Sequence, residues 1–106
     1  MFIMTIFLMT ACEESVRTMS PFEGSWIRDD GARLIFEDNN IMFTIGDLIR
    51  TGTFSFTVTN VTVNYTRESN DGGNTWTSNI FTITVPYNFS NYGNTLAWGA
   101  NIYTRQ

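Results

Sequence analysis

The sequence contains no histidine and no lysine, and both absences narrow what the chain can do. Histidine is the commonest general base of enzymes and the commonest ligand of transition metals in proteins. All six basic side chains are arginines, and the formal net charge is -4. A net negative charge argues against nucleic-acid binding and against electrostatic docking on an anionic membrane. We therefore expect a protein without catalytic activity, cofactor or metal ion.

Cysteine occurs once, at Cys12, where an apolar run that begins at Met1 ends. This run is too short to cross a bilayer as a helix, but its length suits the core of a secretory signal peptide. The small residues before Cys12, including Ala11, resemble the lipobox of bacterial lipoproteins. The alternative is a buried amino-terminal strand with an ordinary cysteine, although nothing in this segment alternates between apolar and polar residues.

The lipobox resemblance implies cleavage between Ala11 and Cys12, diacylglycerol on the Cys12 sulfur, and acylation of the new amino terminus by a fatty acid such as palmitate. Residues 1–11 would then be the signal peptide, residues 12–21 the lipidated cysteine and a tether, and residues 22–106 the folded domain. Glu13 follows the cysteine, at the place where lipoproteins of the inner membrane typically carry aspartate. We therefore expect a lipid anchor in the bacterial cell envelope, in the outer membrane.

From Pro21 onward, apolar and polar residues alternate almost without interruption, which is the pattern of strands with one buried face. Turn signals such as the Asp30-Gly31 pair separate the alternating segments. After Cys12, no apolar period of 3.6 residues continues for more than one turn. Eight strands are expected, at residues 24–28, 34–36, 41–45, 54–58, 61–65, 75–86, 96–98 and 101–105.

The apolar faces of these strands need a cover, and no helix is expected to provide one. Short connections favour an up-and-down meander, and closure into a barrel removes the exposed sheet edges. We therefore predict an all-β fold, a small eight-stranded antiparallel up-and-down barrel. The alternation assigns the following side chains to its interior: Trp26, Leu34, Phe36, Ile41, Phe43, Ile45, Phe54, Phe56, Val58, Val61, Val63, Tyr65, Phe81, Ile83, Val85, Leu96 and Trp98.

Residues 69–76 match the pattern S-x-D-x-G-x-T-W of the Asp-box at every fixed position. The Asp-box is a hairpin loop best known from sialidase-type β-propellers. In such a loop, we expect the Asp71 side chain to accept hydrogen bonds from loop amides and Trp76 to lie beneath the turn. One copy in a short chain cannot build a propeller, so we interpret the segment as the tip of the hairpin between the fifth and sixth strands.

Two acidic pairs, Asp29-Asp30 and Glu37-Asp38, could in principle flank a glycosidic bond during hydrolysis. Both pairs lie in predicted turns, where such residues cap and reverse the chain, and we assign them that structural role. Oxygen ligands also cluster around Asp71, but the spacing of an EF-hand is absent and we predict no calcium site.

The tripeptide Gly24-Ser25-Trp26 resembles the G-x-W opening of the lipocalins and their relatives. The short apolar strand with Trp98 and the ending Tyr103-Thr104-Arg105 resemble the final strands of small bacterial lipocalin-like lipoproteins. In that family the tryptophan plugs the closed end of the barrel, and an arginine from the last strand stacks on it. The resemblance implies these roles for Trp26 and Arg105, in a cation–π contact across the closing seam.

The combined pattern favours a non-catalytic, lipid-anchored envelope protein that binds a small apolar ligand or an envelope protein partner. Two alternatives stay open: a small β-barrel protease inhibitor that inserts residues 13–20 into its target, and a purely structural lipoprotein. Because many large side chains point into so small a barrel, we expect at most a shallow pocket, at the end opposite Trp26. The residues expected around it are Phe36, Phe43, Phe54 and Phe81.

Overall fold

The computed structural model describes residues 20–106, and every regular element within that range is a β-strand. The predicted signal peptide, the predicted lipidation site Cys12 and the greater part of the tether lie outside the described residues. None of residues 20–106 belongs to a helix that is long and apolar enough to cross a membrane.

The strands are antiparallel and form one closed barrel, in which each strand pairs with its neighbours in the chain. The last strand pairs with the first and completes the circle. The strands are β1 (Gly24–Arg28), β2 (Arg33–Glu37), β3 (Asn40–Ile45), β4 (Leu48–Phe56), β5 (Asn60–Ser69), β6 (Thr77–Ser90), β7 (Thr95–Trp98) and β8 (Asn101–Arg105). The predicted all-β fold, an eight-stranded up-and-down barrel, is confirmed.

The two ends of the barrel are made by different segments, because consecutive strands run in opposite directions. We call the end at which β1, β3, β5 and β7 finish the open end, and the other end the closed end. The chain approaches β1 from the closed end, where the side chain of Phe22 is fully buried. Ser20, the first described residue, therefore lies at the closed end.

Short turns join the strands, and some of their residues adopt a left-handed backbone. Glu37 pairs with Asn40 at the closed end, and Asp38 between them has a φ of 56°. At the open end, the turn between β3 and β4 contains Gly46, with a φ of 57°. Asp29-Asp30 lies in the turn between β1 and β2. Asp29-Asp30 thus lies in a turn, as predicted, whereas Glu37 is the last residue of β2 and only Asp38 of the second pair lies in a turn.

The sixth strand is longer than predicted, because β6 continues through Pro86 to Ser90. We expected this strand to stop at Pro86, since proline has no N–H to donate to a ladder. The Pro86 carbonyl accepts a hydrogen bond of 2.9 Å from the Gly99 N–H, in the turn that follows β7. The backbone nitrogen of Pro86 points towards Gly99, as its carbonyl does. Because β7 ends at Trp98, no strand residue there needs an N–H from Pro86.

Two register shifts bend the sheet where β4, β5 and β6 meet. The pairing of β4 with β5 shifts between Thr51 and Gly52, and the pairing of β5 with β6 shifts between Tyr65 and Arg67. At Gly52 the two backbones approach so closely that an added Cβ would lie 2.1 Å from the Asn64 carbonyl oxygen. Bulges and strand glycines allow sharp bends, and such bends let a small barrel close.

Most of the side chains predicted to point inward form a single core, with two corrections at the end of β4. Phe56 is 43% exposed at the rim of the barrel, although its ring centre lies 5.1 Å from that of Phe22. Val58 is 91% exposed, because β4 ends at Phe56 and the chain turns there. Thr57 holds this turn through hydrogen bonds to the backbone of Asn60. The buried members of the core are Phe22, Trp26, Ala32, Leu34, Phe36, Ile41, Phe54, Val61, Val63, Tyr65, Leu96, Trp98 and Tyr103.

Candidate functional site at the barrel mouth

Aromatic side chains fill the closed end of the barrel. The ring centre of Phe22 lies 5.3 Å from that of Phe36, 4.9 Å from that of Tyr87 and 5.0 Å from that of Phe89. Trp26 is also fully buried, and its indole N–H donates a hydrogen bond of 2.8 Å to the Phe22 carbonyl. Together these rings occupy the space that the strands enclose at this end.

Arg105 closes the seam between the last strand and the first. Its guanidinium carbon lies 4.1 Å from the centre of the Trp26 ring. The same group donates hydrogen bonds to the carbonyls of Glu23 at 2.8 Å, Pro21 at 3.1 Å and Gly93 at 3.2 Å. Arg105 therefore joins the segment before β1 to the turn between β6 and β7, in addition to stacking on Trp26.

The open end, in contrast, contains a pocket of about 260 Å³. The strand register places its lining residues on the inner face of the sheet, so this pocket is the mouth of the barrel. The lining combines aromatic walls with arginine and tyrosine side chains, a composition that small-molecule sites share. The lining residues are Arg28, Phe43, Arg50, Tyr65, Phe81, Ile83, Trp98, Asn101 and Tyr103.

Arg50 lies on one side of the mouth and is held by Glu68. The Arg50 Nε donates to Glu68 Oε1 at 3.0 Å, and Asn79 Nδ2 donates to the same oxygen at 2.8 Å. The hydrogen bond from Asn79, followed by that from Arg50, lowers the pKa of Glu68. The Arg50 guanidinium also lies 5.5 Å from the ring centre of Phe81. Among residues 20–106, Arg50 donates hydrogen bonds through Nε alone, so both terminal nitrogens are free to bind a ligand.

Arg28 lies on another wall of the mouth, because β1 places it on the same face as Trp26. Its Nε and Nη2 each donate to Asp30 at 2.8 Å, and this contact lowers the pKa of Asp30. Arg28 Nη1 makes a long hydrogen bond of 3.4 Å to the Tyr103 hydroxyl. The Arg28 guanidinium also lies 5.5 Å from the centre of the Tyr103 ring. Nη1 is thus the donor of Arg28 that is least engaged by the protein.

Tyr65 supplies a hydroxyl to the lining of the mouth. The residue is 5% exposed, and its hydroxyl makes no hydrogen bond to any other residue of the described range. Burial raises the pKa of Tyr65 to about 12, although the positive charge of Arg50 acts in the opposite direction. The hydroxyl is therefore protonated at neutral pH and can donate a hydrogen bond. Buried polar groups without a partner are rare in folded proteins.

The four phenylalanines expected around one shallow pocket lie at different heights in the barrel. Phe43 and Phe81 line the mouth. Phe36 and Phe54 are buried near the closed end instead, with ring centres 4.9 Å apart. Both lie near the last residues of strands that run towards the closed end, so they contact Phe22 rather than the mouth.

Sequence reasoning did not assign Arg28, Arg50 or Tyr103 to the site. The signal was present, because Arg50 alternates in phase with Phe54 on β4 and Arg28 alternates in phase with Trp26 on β1. Only the apolar positions of each strand were assigned to the interior. Charged side chains at a barrel end can point inward because the mouth is open to water.

The hairpin between β5 and β6 carries the residues that resemble an Asp-box. Asp71 accepts hydrogen bonds from the Thr75 N–H at 2.9 Å, the Thr75 hydroxyl at 2.5 Å and the Ser69 hydroxyl at 2.7 Å. These contacts, led by that with the Thr75 hydroxyl, lower the pKa of Asp71 to about 2. Trp76 donates to the Gly73 carbonyl, and the Arg67 guanidinium lies 4.2 Å from its ring centre. All of these contacts are local, so they order the hairpin tip.

A second hollow of about 350 Å³ lies on the outer surface, over β2 to β5. Outward-facing side chains such as Ile35, Met42 and Thr51 border it. Within residues 20–106, no group of three or more Cys, Asp or Glu side chains is arranged to hold a metal ion. The mouth is the candidate site, because there the interior walls and the partly free donors converge on one space.

No protein-family model matches the chain, and no similar protein was found among curated proteins or among solved structures. The fold and the mouth are therefore the observations on which a function can be proposed.

Proposed function

We propose that this chain is a non-catalytic binding protein of the bacterial cell envelope, anchored by lipid on Cys12, which takes a small ligand with an apolar body into the mouth of its barrel. The observation that carries the proposal is the contrast between the two ends. Aromatic rings fill the closed end, whereas the mouth retains a pocket between Phe43, Phe81 and Trp98. Apolar walls with a few polar groups are typical of sites for small molecules.

The position of Ser20 supports the anchored arrangement. Cys12 lies eight residues before Ser20, so a fully extended tether would reach about 28 Å. Ser20 lies at the closed end, where its carbonyl accepts a hydrogen bond from the Glu23 N–H. A barrel tethered through this end has its attachment point on the opposite side from the mouth, so the tether does not obstruct the mouth. Ligand would then enter from the aqueous side.

Binding can be tested with 1-naphthalenemethanol, a neutral apolar probe, and the full chain carrying Cys12→Ser, which has no acyl group to compete. We expect saturable binding by calorimetry. Ile83→Trp should abolish it, because Ile83 lines the mouth and the larger indole would fill the pocket. Ile80→Trp is the matched control on the same strand, since Ile80 is 78% exposed. Absence of binding to the parent chain, or equal binding by both variants, would contradict the proposal.

The anchor can be tested separately in bacterial cells. Wild-type protein should partition into the detergent phase, and its mass after extraction should correspond to a chain that starts at an acylated Cys12. Cys12→Ser should instead give an unprocessed or slowly released protein in the aqueous phase. An unmodified chain that begins at Met1 would rule out lipidation.

A further inference from the structure

The structure points to a ligand with a negative charge: we infer that the mouth binds the carboxylate of a small aromatic acid through Arg50, Arg28 and the hydroxyl of Tyr65. This inference deepens the proposed function, on which it rests, by naming the chemical class of the ligand. The apolar body of the acid would pack against the aromatic walls, and its carboxylate would accept hydrogen bonds from the free donors.

The free donors of the mouth match a carboxylate in number and chemistry. Both terminal nitrogens of Arg50 lack an acceptor among residues 20–106, and together they form the planar fork that binds two carboxylate oxygens. Within the described residues, Arg28 Nη1 has only its 3.4 Å contact with the Tyr103 hydroxyl. Tyr65 lines the pocket, and its hydroxyl, which has no hydrogen-bond partner within residues 20–106, can donate. A neutral apolar ligand would leave all of these donors unused.

Each arginine that lines the mouth is already paired with one carboxylate before a ligand enters. Arg50 faces Glu68, and Arg28 faces Asp30. The carboxylates occupy the Nε side of each arginine, and Asp30 is 51% exposed and directed to solvent. An incoming carboxylate would therefore meet N–H and O–H donors at short range and feel repulsion mainly from Glu68, whose side chain is 17% exposed.

The size and the lining of the pocket favour an aromatic acid over a long acyl chain. A volume of about 260 Å³ suits one or two fused rings. Phe36 and Phe54 block the path towards the closed end, because they fill the interior below the mouth. The walls formed by Phe43, Phe81 and Trp98 can stack on a planar ring. A long fatty acid would leave much of its chain exposed to water.

The test compares 1-naphthoate with 1-naphthalenemethanol at pH 7, again with the full chain carrying Cys12→Ser. The two probes share a ring system and differ in the charge of the head group. We expect naphthoate to bind roughly tenfold more tightly, because hydrogen bonds to charged groups are the stronger ones. Equal affinities would overturn the carboxylate inference and leave apolar binding standing. If neither probe binds, both the inference and the proposed function fail.

Two substitutions with opposite expected signs separate a ligand contact from a merely structural role. Arg50→Gln should weaken naphthoate binding roughly tenfold and weaken naphthalenemethanol binding much less, because the alcohol carries no charge. Glu68→Gln should strengthen naphthoate binding, because it removes the repelling charge and keeps an amide near Asn79. Arg33→Gln is the matched control, since Arg33 is exposed and faces outward on β2.

Further variants keep the test decisive if Arg50→Gln fails to fold. Arg28→Gln and Tyr65→Phe should each weaken naphthoate binding severalfold, and naphthalenemethanol binding less, because the alcohol carries no charge. Thermal unfolding of each variant checks that the barrel is intact. If Glu68→Gln weakens naphthoate binding, or if Tyr65→Phe and Arg28→Gln leave it unchanged in folded protein, the assignment of the carboxylate to this cluster is wrong.

Discussion

Arg105 and Trp26 form a stacked pair at the seam of the barrel, with the guanidinium carbon 4.1 Å from the ring centre. The two residues are also register partners in the pairing of β8 with β1. The guanidinium fixes three backbone carbonyls in addition, those of Pro21, Glu23 and Gly93. The pair thus connects the β8–β1 ladder, the aromatic rings that fill the closed end and the turn between β6 and β7.

The first prediction concerns this pair. Trp26→Ala should lower the free energy of unfolding by about 3 to 5 kcal/mol, because a fully buried aromatic ring is removed. Arg105→Ala should lower it by about 2 kcal/mol, since hydrogen bonds are lost together with the stacking contact. Denaturant unfolding of the single and double variants measures the coupling. Strictly additive losses would show that the stacked contact contributes nothing to stability.

The second prediction concerns Phe22. Phe22→Ala should cost about 3 to 5 kcal/mol, although the residue lies outside the strands, because its ring is surrounded by other aromatic rings. Val58→Ala is the control at the same end of the barrel, and 91% exposure of Val58 predicts a change below about 0.5 kcal/mol. Similar losses in both variants would contradict the assignment of Phe22 to the core.

The third prediction concerns the close approach at Gly52. An added Cβ would lie 2.1 Å from the Asn64 carbonyl oxygen and 2.7 Å from the Tyr65 Cα, and neither backbone atom can move without separating β4 from β5. Gly52→Ala should therefore cost about 3 kcal/mol or more in denaturant unfolding. Gly46→Asn is the contrasting control, since Gly46 has a positive φ that asparagine tolerates and open space around it. We expect that variant to lose less than about 1 kcal/mol.

The fourth prediction concerns the pH dependence of the hairpin tip. The pKa of Asp71 is lowered to about 2. The hydrogen bonds to the ionised Asp71 carboxylate therefore stabilise the fold above the usual pKa of an aspartate, and this contribution is lost as the pH falls through about 2. NMR titration should show the Asp71 carboxyl and the Thr75 amide changing together near that pH. Thr75→Val should raise the pKa of Asp71, because it removes the hydroxyl donor.

Thr82→Val serves as the control for this titration, since the Thr82 hydroxyl donates to Asn64 in the ladder and not to the loop. It should leave the pKa of Asp71 unchanged. An Asp71 carboxyl that titrates in its usual range in the parent chain would show that the loop hydrogen bonds do not form in solution.

Alternation predicted the fold because each strand exposes one face and buries the other. Leu34 and Phe36, or Val61 and Val63, could be assigned to the interior without knowing which strands pair. The same pattern could not show where β4 ends, because the Thr57 turn, not the alternation, decides that Val58 faces solvent.

Alternation does not predict how far along the barrel axis a side chain lies. Phe36 and Phe43 alternate equally well, but only the strand directions and the register place Phe43 at the mouth and Phe36 near the closed end. Phe22 lies in no strand, so no period marks it. Arg50 alternates in phase with the inward-facing residues of β4. A charged residue is nevertheless not assigned to a barrel interior until the position of the open end is known.

The barrel has a consequence for the order of events in folding. In the barrel of residues 24–105, every strand pairing but one joins consecutive strands, and the exception, β1 with β8, brings Glu23 and Arg105 together across 82 residues. A contact so distant in the chain has the largest loop-closure entropy, so we expect the seven hairpins to assemble before the circle closes. Weakening the β1–β8 seam should then accelerate unfolding far more than it slows folding. A barrel opened at this seam would present two unpaired strand edges, and its lifetime would set how readily neighbouring chains aggregate.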